Sequence, residues 1–318
     1  MNLTRRHLLA LAGASLVARP AHAQSRLSVV ASTGMIADAA RRVGGDAVEV
    51  RALMGPGVDP HSYRQTRSDI VAMTRADLVL WHGLYLEAQM EEFLLKLGRR
   101  RNVVAVGETV PQAELIGHED YNGKFDPHVW MVPELWVNVV RAVRDALGDV
   151  APDSADIFAA NAEVYIAEVQ RLGEYARGVL QTVPEPARVL LTAHDAFGYF
   201  GRAYGYEVLG IQGISTESEA GLNRIRTLVD MLVERDIGAV FVETSVSDRN
   251  IRALAEGAAA EGHDVRIGGE LFSDAMGEPG TYEGTYLGMI DHNATVIAAA
   301  LGGQVPTRGM DGKLRIGM

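Results

Sequence analysis

The stretch DSADIFAANAEVYIAEVQRLGEYARGVLQ, residues 153–181, divides the chain into two halves of similar rhythm. It holds no Gly or Pro before Gly173, and Ile157, Val164, Val169, Leu172 and Val179 keep helical spacing. Pro152-Asp153-Ser154 supplies helix-start chemistry and Pro184 a stop. A single helix of this length runs about 40 Å. That is too long for a simple crossover between neighbouring strands and suits a rigid spine joining two lobes. A kink at Gly173 is the competing expectation.

On each side of the spine, short β-rich apolar runs alternate with amphipathic stretches. LSVVAS (27–32), VEVRAL (48–53), DLVLWHG (77–83) and NVVAVG (102–107) precede it. VLLTAH (189–194), YEVLGI (206–211), GAVFVE (238–243) and DVRIGG (264–269) follow it. Helical patterns such as MIADAARRVGG and LNRIRTLVDMLVERD lie between them. Strand runs separated by helices read as parallel α/β units. The expected fold is therefore α/β, with an N-terminal lobe over 24–152, a connecting backbone helix over 153–183 and a C-terminal lobe over 184–318.

Residues 1–23 carry Arg5 and Arg6, the apolar run LLALAGASLVA and an Ala21-His22-Ala23 cleavage pattern. They read as a signal peptide, too short to span a bilayer. Thr4-Arg5-Arg6 ahead of the leucines also fits a twin-arginine export signal, so both that route and Sec stay open. Cleavage removes Arg5, Arg6 and Arg19 and no acid, taking the formal net charge from −11 to −14. Such a charge argues against nucleic acid and anionic membrane surfaces as partners. There is no cysteine, so disulfides, thiolate metal sites and a lipidated thiol are excluded. The expectation is a soluble periplasmic protein, monomeric and without a lipid anchor.

Seven of the nine histidines remain in the mature chain. His61 and His128 each end an Asp-Pro-His triplet in a loop, and His194 ends the strand run VLLTA. In α/β sheets ligands gather outside the carboxyl ends of the strands. Asp274, in the loop of GGELFSDAMG, shares that placement. Three imidazoles and one carboxylate make a tetrahedral N/O set of the kind zinc favours. Proline stiffens each loop, and the aspartate before it is a candidate partner for the ring. His82, His263 and His292 read as ordinary polar residues. His118, in GHEDYNG, is a candidate for attracting a cation to a mobile loop.

These segments resemble the metal-specific substrate-binding proteins of ABC importers, the cluster A-I zinc/manganese family, of the TroA type. The likeness runs from STGMIADAARRVGGD through LMGPGVDPHSY, WHGLYLE and FDPHVWMVPELW. It continues with TAHDAFGYFGRAYGYEVLGIQGISTESEAG and closes with IGGELFSDAMGEPGTYEGTYLGMIDHN. The resemblance implies metal ligands at His61, His128, His194 and Asp274, two Rossmann-like lobes with the site in the cleft between them, and a partner membrane permease with its ATPase. Manganese-dedicated members often carry glutamate at the third ligand, where this chain has His194. Zinc-dedicated members often carry a long histidine-rich loop where this chain has GHEDYNGK. Zn²⁺ is therefore the first expectation for the transported ligand, one ion per chain, with Mn²⁺ the second. Two readings compete with a metal carrier. A secreted metal-dependent hydrolase would need an open coordination position and a general base, and no H-E-x-x-H occurs. A binder of metal chelates would not need four convergent protein ligands.

Overall fold

The computed structural model describes residues 26–118, 122–217 and 221–315; the expected signal peptide lies outside them. All eight apolar runs form strands. β1 (Leu27–Ala31), β2 (Val48–Ala52), β3 (Leu78–Trp81) and β4 (Val103–Ala105) make a parallel sheet in the order β2-β1-β3-β4. Val29 sits between Val50 and Leu78 in the register. Alternate residues of β1 and β3 serve opposite faces, as strand geometry requires. Val29, Ala31, Leu78 and Leu80 face α1 (Gly34–Gly44), while Val30, Val79 and Trp81 meet Met73 of α2 (Arg67–Arg75) and Leu94 of α3 (Glu91–Gly98). Covered on both sides, β3 is buried throughout. Local chemistry sets the helix starts: the Thr33 side chain accepts from Ile36 N–H ahead of α1, and Thr66 with Asp69 forms a capping box ahead of α2.

After α4 (Pro133–Val150) a single turn at Pro152–Ser154 leads into α5 (Ala155–Leu180), the expected spine. The helix runs unbroken through Gly173. A Cβ there would lie 3.3 Å from Pro133 and Glu134 side-chain atoms, so that glycine admits the start of α4 rather than a kink. The buried stripe keeps Val169, Leu172 and Val179 of the expected one and drops the other two. Ile157 and Val164 stand 55 % and 63 % exposed, and Phe158, Ala162, Tyr165, Ile166, Val169, Leu172 and Ala176 form the inner face. The two apolar residues at i and i+7 lie one position round the helix from the larger Phe158 and Tyr165, which win the core.

The second half carries β5 (Val189–Thr192), α6 (Gly198–Tyr204), β6 (Glu207–Gly210), α7 (Leu222–Glu234), β7 (Ala239–Glu243), α8 (Arg249–Ala260), β8 (Arg266–Leu271) and α9 (Tyr286–Ala300). Its strands form two parallel pairs, β5-β6 and β7-β8, with β5 beside β7. The register of β7-β8 shifts between Val240 and Phe241. A Cβ on Gly268 would lie 2.9 Å from the Ala300 Cβ, and one on Gly269 2.4 Å from Val296. The glycine pair thus lets α9 close onto β8.

The spine touches α1 and α4 of the first half and α9 of the second. One continuous apolar core consequently reaches from Val29 to Phe241 and Ala300. Asp38 on α1 ties the same three parts together: its Oδ2 accepts from Tyr165 Oη on the spine and from Tyr286 N–H at the start of α9, both at 3.1 Å. Among the described residues no helix is long and apolar enough to cross a membrane.

Candidate metal centre

His61 follows β2, His128 follows an antiparallel bridge at Gly117–Phe125, His194 follows β5 and Asp274 follows β8. Two donors therefore come from each half of the chain, all from the carboxyl-end loops of the lobes. One ligand atom of each lies within 4.8 Å of every other, and all four residues are buried. His61 Nε2 is 3.3 Å from His128 Nε2. Asp274 places Oδ1 3.3 Å from His128 Nε2 and Oδ2 3.2 Å from His194 Nε2. His194 Nε2 and Asp274 Oδ1 are fully buried and lack hydrogen-bond geometry to any neighbour. Burying such atoms costs free energy unless something satisfies them.

The two Asp-Pro-His loops are built differently. Asp126 Oδ1 accepts from both the His128 backbone N–H (2.9 Å) and Nδ1–H (2.7 Å), turning Nε2 toward the centre. Asp59 Oδ1 accepts only the His61 backbone N–H at 2.9 Å, while Oδ2 accepts from Ser62 Oγ and, across the cleft, from Thr216 Oγ1, each at 2.7 Å. The ring-orienting role expected of the aspartate holds for Asp126; Asp59 instead shapes its loop and pins it to the opposite lobe.

Three supporting residues escaped sequence reasoning. Glu243, the last residue of β7, accepts the His194 backbone N–H at 2.9 Å and lies 2.5 Å from His194 Nδ1. A carboxylate closing the apolar run AVFVE was the available signal. His82, read as an ordinary polar residue, donates Nε2–H to the Pro127 carbonyl at 2.7 Å and so holds the His128 loop. Trp130 donates Nε1–H to the Ser273 carbonyl at 2.8 Å, linking the His128 and Asp274 loops across the cleft.

Burial pushes the His61 imidazole down to about 3, against the pull of Asp274. Burial also opposes charge on His128, but Asp126 and Asp274 outweigh it and hold that ring up at about 9. At His194 burial is likewise outweighed, here by Glu243 and Asp274, and the ring is held well above the ordinary histidine range. Burial would raise Asp274; His194 and His128 instead hold it well below the usual carboxylate range. The cluster is thus internally paired when protonated, and a cation entering it competes with those protons.

None of the remaining histidines joins the group of four, although His118 lies close enough to His61 to disfavour charge on it. His263 Nε2 contacts the Ile237 carbonyl (2.9 Å) and His292 Nε2 that of Glu270 (2.8 Å). His118 is buried rather than exposed on a loop tip, its backbone N–H donating to Lys124 O at 2.9 Å. Among the described residues no second group of histidines and carboxylates converges in the same manner.

The family model described as "Zinc-uptake complex component A periplasmic" matches residues 29–300. The manganese-binding lipoprotein MntA of Bacillus subtilis is 47 % identical over 293 residues, covering 92 % of this chain and 95 % of the relative. The zinc-binding protein TroA of Treponema pallidum is 45 % identical over 283 residues, covering 89 % and 91 %. The solved structure of that periplasmic zinc-binding protein superposes with a TM-score of 0.84 at 46 % identity, over 87 % of this chain and 99 % of the other. With the match spanning both lobes and every candidate ligand, the chain belongs to the family of zinc-uptake component A, the metal-binding substrate-binding proteins.

Proposed function

We propose that this protein captures one divalent transition-metal ion through His61, His128, His194 and Asp274 and delivers it to an ABC importer made of a membrane permease and an ATPase. The observation that carries the reading is the convergence of four buried donors, two from each half, on one point. Three imidazoles with one carboxylate favour Zn²⁺. Mn²⁺ is the second cargo, supported by the identity with a manganese-binding relative. On this reading the lobes are residues 24–152 and 184–318, the helical region 153–183 joins them, and the mature monomer works in the periplasm after export.

A shell drawn from both lobes suits carriage: closure assembles it, and parting the lobes takes two donors from the ion. A hydrolase would need a coordination position left for water, whereas four protein donors complete a tetrahedron. Titration of chelator-stripped protein with zinc tests the proposal. One ion per chain should bind, with a rise in Tm that follows the free-metal concentration, and the loaded protein should hydrolyse no ester, peptide or phosphoester. Two tight sites per chain, or metal-dependent hydrolysis lost with His194→Ala, would overturn it.

A further inference from the structure

The net negative charge argues against an anionic membrane as a partner, yet one face of the N-terminal lobe has the opposite character. Parallel strands β1, β3 and β4 lie side by side, and their amino ends are preceded by Arg26, Arg75 and the run Arg99-Arg100-Arg101. Backbone hydrogen bonds lock these ends together: Asp77 N–H donates to Ser28 O at 2.9 Å and Val79 N–H to Asn102 O at 2.8 Å. All five arginines are exposed, as is Lys96. None has an ion-pair partner among the described residues. Arg99, Arg100 and Arg101 line one open depression of about 500 Å³, with Asp77 in its wall.

The same face carries exposed hydrophobic side chains. Helices α2 and α3 cover one side of the sheet together. On their outer surface Val71 is 46 % exposed and Leu95 57 %. Each stands four residues before an exposed arginine, Arg75 and Arg99, and so shares its helix face. Arginine at a helix C-terminus is commonly explained by the helix dipole, which accounts for Arg75 and Arg99. It does not account for Arg100, Arg101 or the two apolar residues. Single exposed hydrophobics are ordinary; two beside a cluster of unpaired cations are the pattern of an interfacial surface.

We propose that the α2/α3 face, with Arg26, Arg75, Lys96 and Arg99-Arg100-Arg101, docks reversibly on anionic phospholipid headgroups. At physiological salt the Debye length is about 8 Å, so acids elsewhere on the molecule are screened and the local patch decides. Four exposed acids lie on or beside this surface, Asp46 ahead of β2, Asp77 at the start of β3, Glu92 in the first turn of α3 and Asp149 near the end of α4, and they reduce the attraction without cancelling six cations. A chain resting on this face keeps the four candidate ligands, at the opposite ends of the strands, clear of lipid. Its search for a membrane-embedded partner becomes two-dimensional. The surface is independent of the metal reading.

Sedimentation with vesicles of equal parts phosphatidylglycerol and phosphatidylcholine tests it, against phosphatidylcholine alone. The protein should bind the first, not the second, and lose binding as salt rises. Each basic residue at an anionic surface is worth about fivefold in partitioning. The triple variant Arg99→Ala, Arg100→Ala, Arg101→Ala should therefore bind roughly a hundredfold more weakly, with unchanged Tm and zinc stoichiometry. Because the chain has no cysteine, L95C accepts a single environment-sensitive dye, whose emission should shift blue on the anionic vesicles. Equal binding to both vesicles, no binding to either, an undiminished triple variant, or an unshifted dye would each overturn the proposal.

Discussion

Glu243→Gln tests how the site is held. The carboxylate accepts the His194 backbone N–H at 2.9 Å and sets its other oxygen 2.5 Å from Nδ1, a fully buried ion-pair contact. With a metal on Nε2, His194 must carry its proton on Nδ1 and donate it to Glu243. Glutamine keeps the shape but offers one acceptor oxygen, so one of the two donors loses its partner and the remaining bond loses its charge. A buried hydrogen bond to a charged group contributes about 1.5–3 kcal/mol. Outer partners of metal histidines typically cost about 10- to 100-fold in affinity when replaced. The two figures agree, and zinc affinity near neutral pH should fall within that range. Competition against a fluorescent chelator measures it.

A second readout separates electrostatics from mere loosening. Glu243 is, after burial, the first influence on His194, and it raises that ring's affinity for a proton. In the wild type, zinc must therefore displace a tightly held proton, and its affinity weakens as pH falls. In the variant the proton is held less tightly, so fewer protons should be released per zinc bound and the pH dependence should flatten. Calorimetry in buffers of different ionisation enthalpy counts them. Affinity within about threefold of wild type, or an unchanged proton count, would refute the role assigned to Glu243.

His61→Ala, His128→Ala and His194→Ala should each weaken zinc binding sharply, His263→Ala not at all, and His118→Ala at most slightly; equal losses at His118 and His194 in the same titration would redraw the donor set. His194→Glu exchanges a nitrogen for an oxygen donor and should narrow the zinc-over-manganese ratio in paired competition titrations, and a constant ratio would move the origin of selectivity to lobe closure or the supporting residues. Asp69 caps α2, accepting from Thr66 and Tyr63 and pairing with Arg51; burial opposes its charge, but these partners hold it below the ordinary aspartate value. Its contribution should be complete above the unfolded value near 4 and vanish as pH falls through the folded one, so Asp69→Asn should cost about 1–2 kcal/mol in urea melts of metal-free protein at neutral pH, and a gap that persists at the acid end would refute this.

Strands and candidate ligands were legible because both rest on local chemistry. Each strand run is a short apolar segment closed by Gly, Pro or a polar turn, and each candidate ligand follows such a run or a stiff Asp-Pro. Glu243 and His82 were not legible, since each acts on a loop remote in sequence: 49 residues separate Glu243 from His194, and 45 separate His82 from Pro127. The carboxylate against His194 Nδ1 is Glu243, brought there because β7 lies beside β5. The first half of the spine's inner stripe, at Ile157 and Val164, departed from its periodicity for a related reason. Periodicity offers several apolar faces on one long helix, and only the packed neighbours α1, α4 and α9 choose among them.

The cleft has to satisfy two demands that pull apart. On the proposed function it holds an ion through donors from both halves, yet it must avoid leaving buried charge unpaired when the ion is gone. Asp274 answers both. Without metal its two oxygens face His128 of one half and His194 of the other, at 3.3 and 3.2 Å. Asp126 and Glu243 supply the far nitrogens of the same rings. Protons on those rings thus set two cations among three carboxylates, where a bare carboxylate would carry a heavy desolvation cost. His61 differs: burial keeps it neutral, so its lone pair stands ready without a proton to remove. On the proposed function, arrival of a metal exchanges protons for an ion among the same four side chains. The clasp from Trp130 to Ser273 and that from Thr216 to Asp59 bridge the lobes without using a candidate ligand atom.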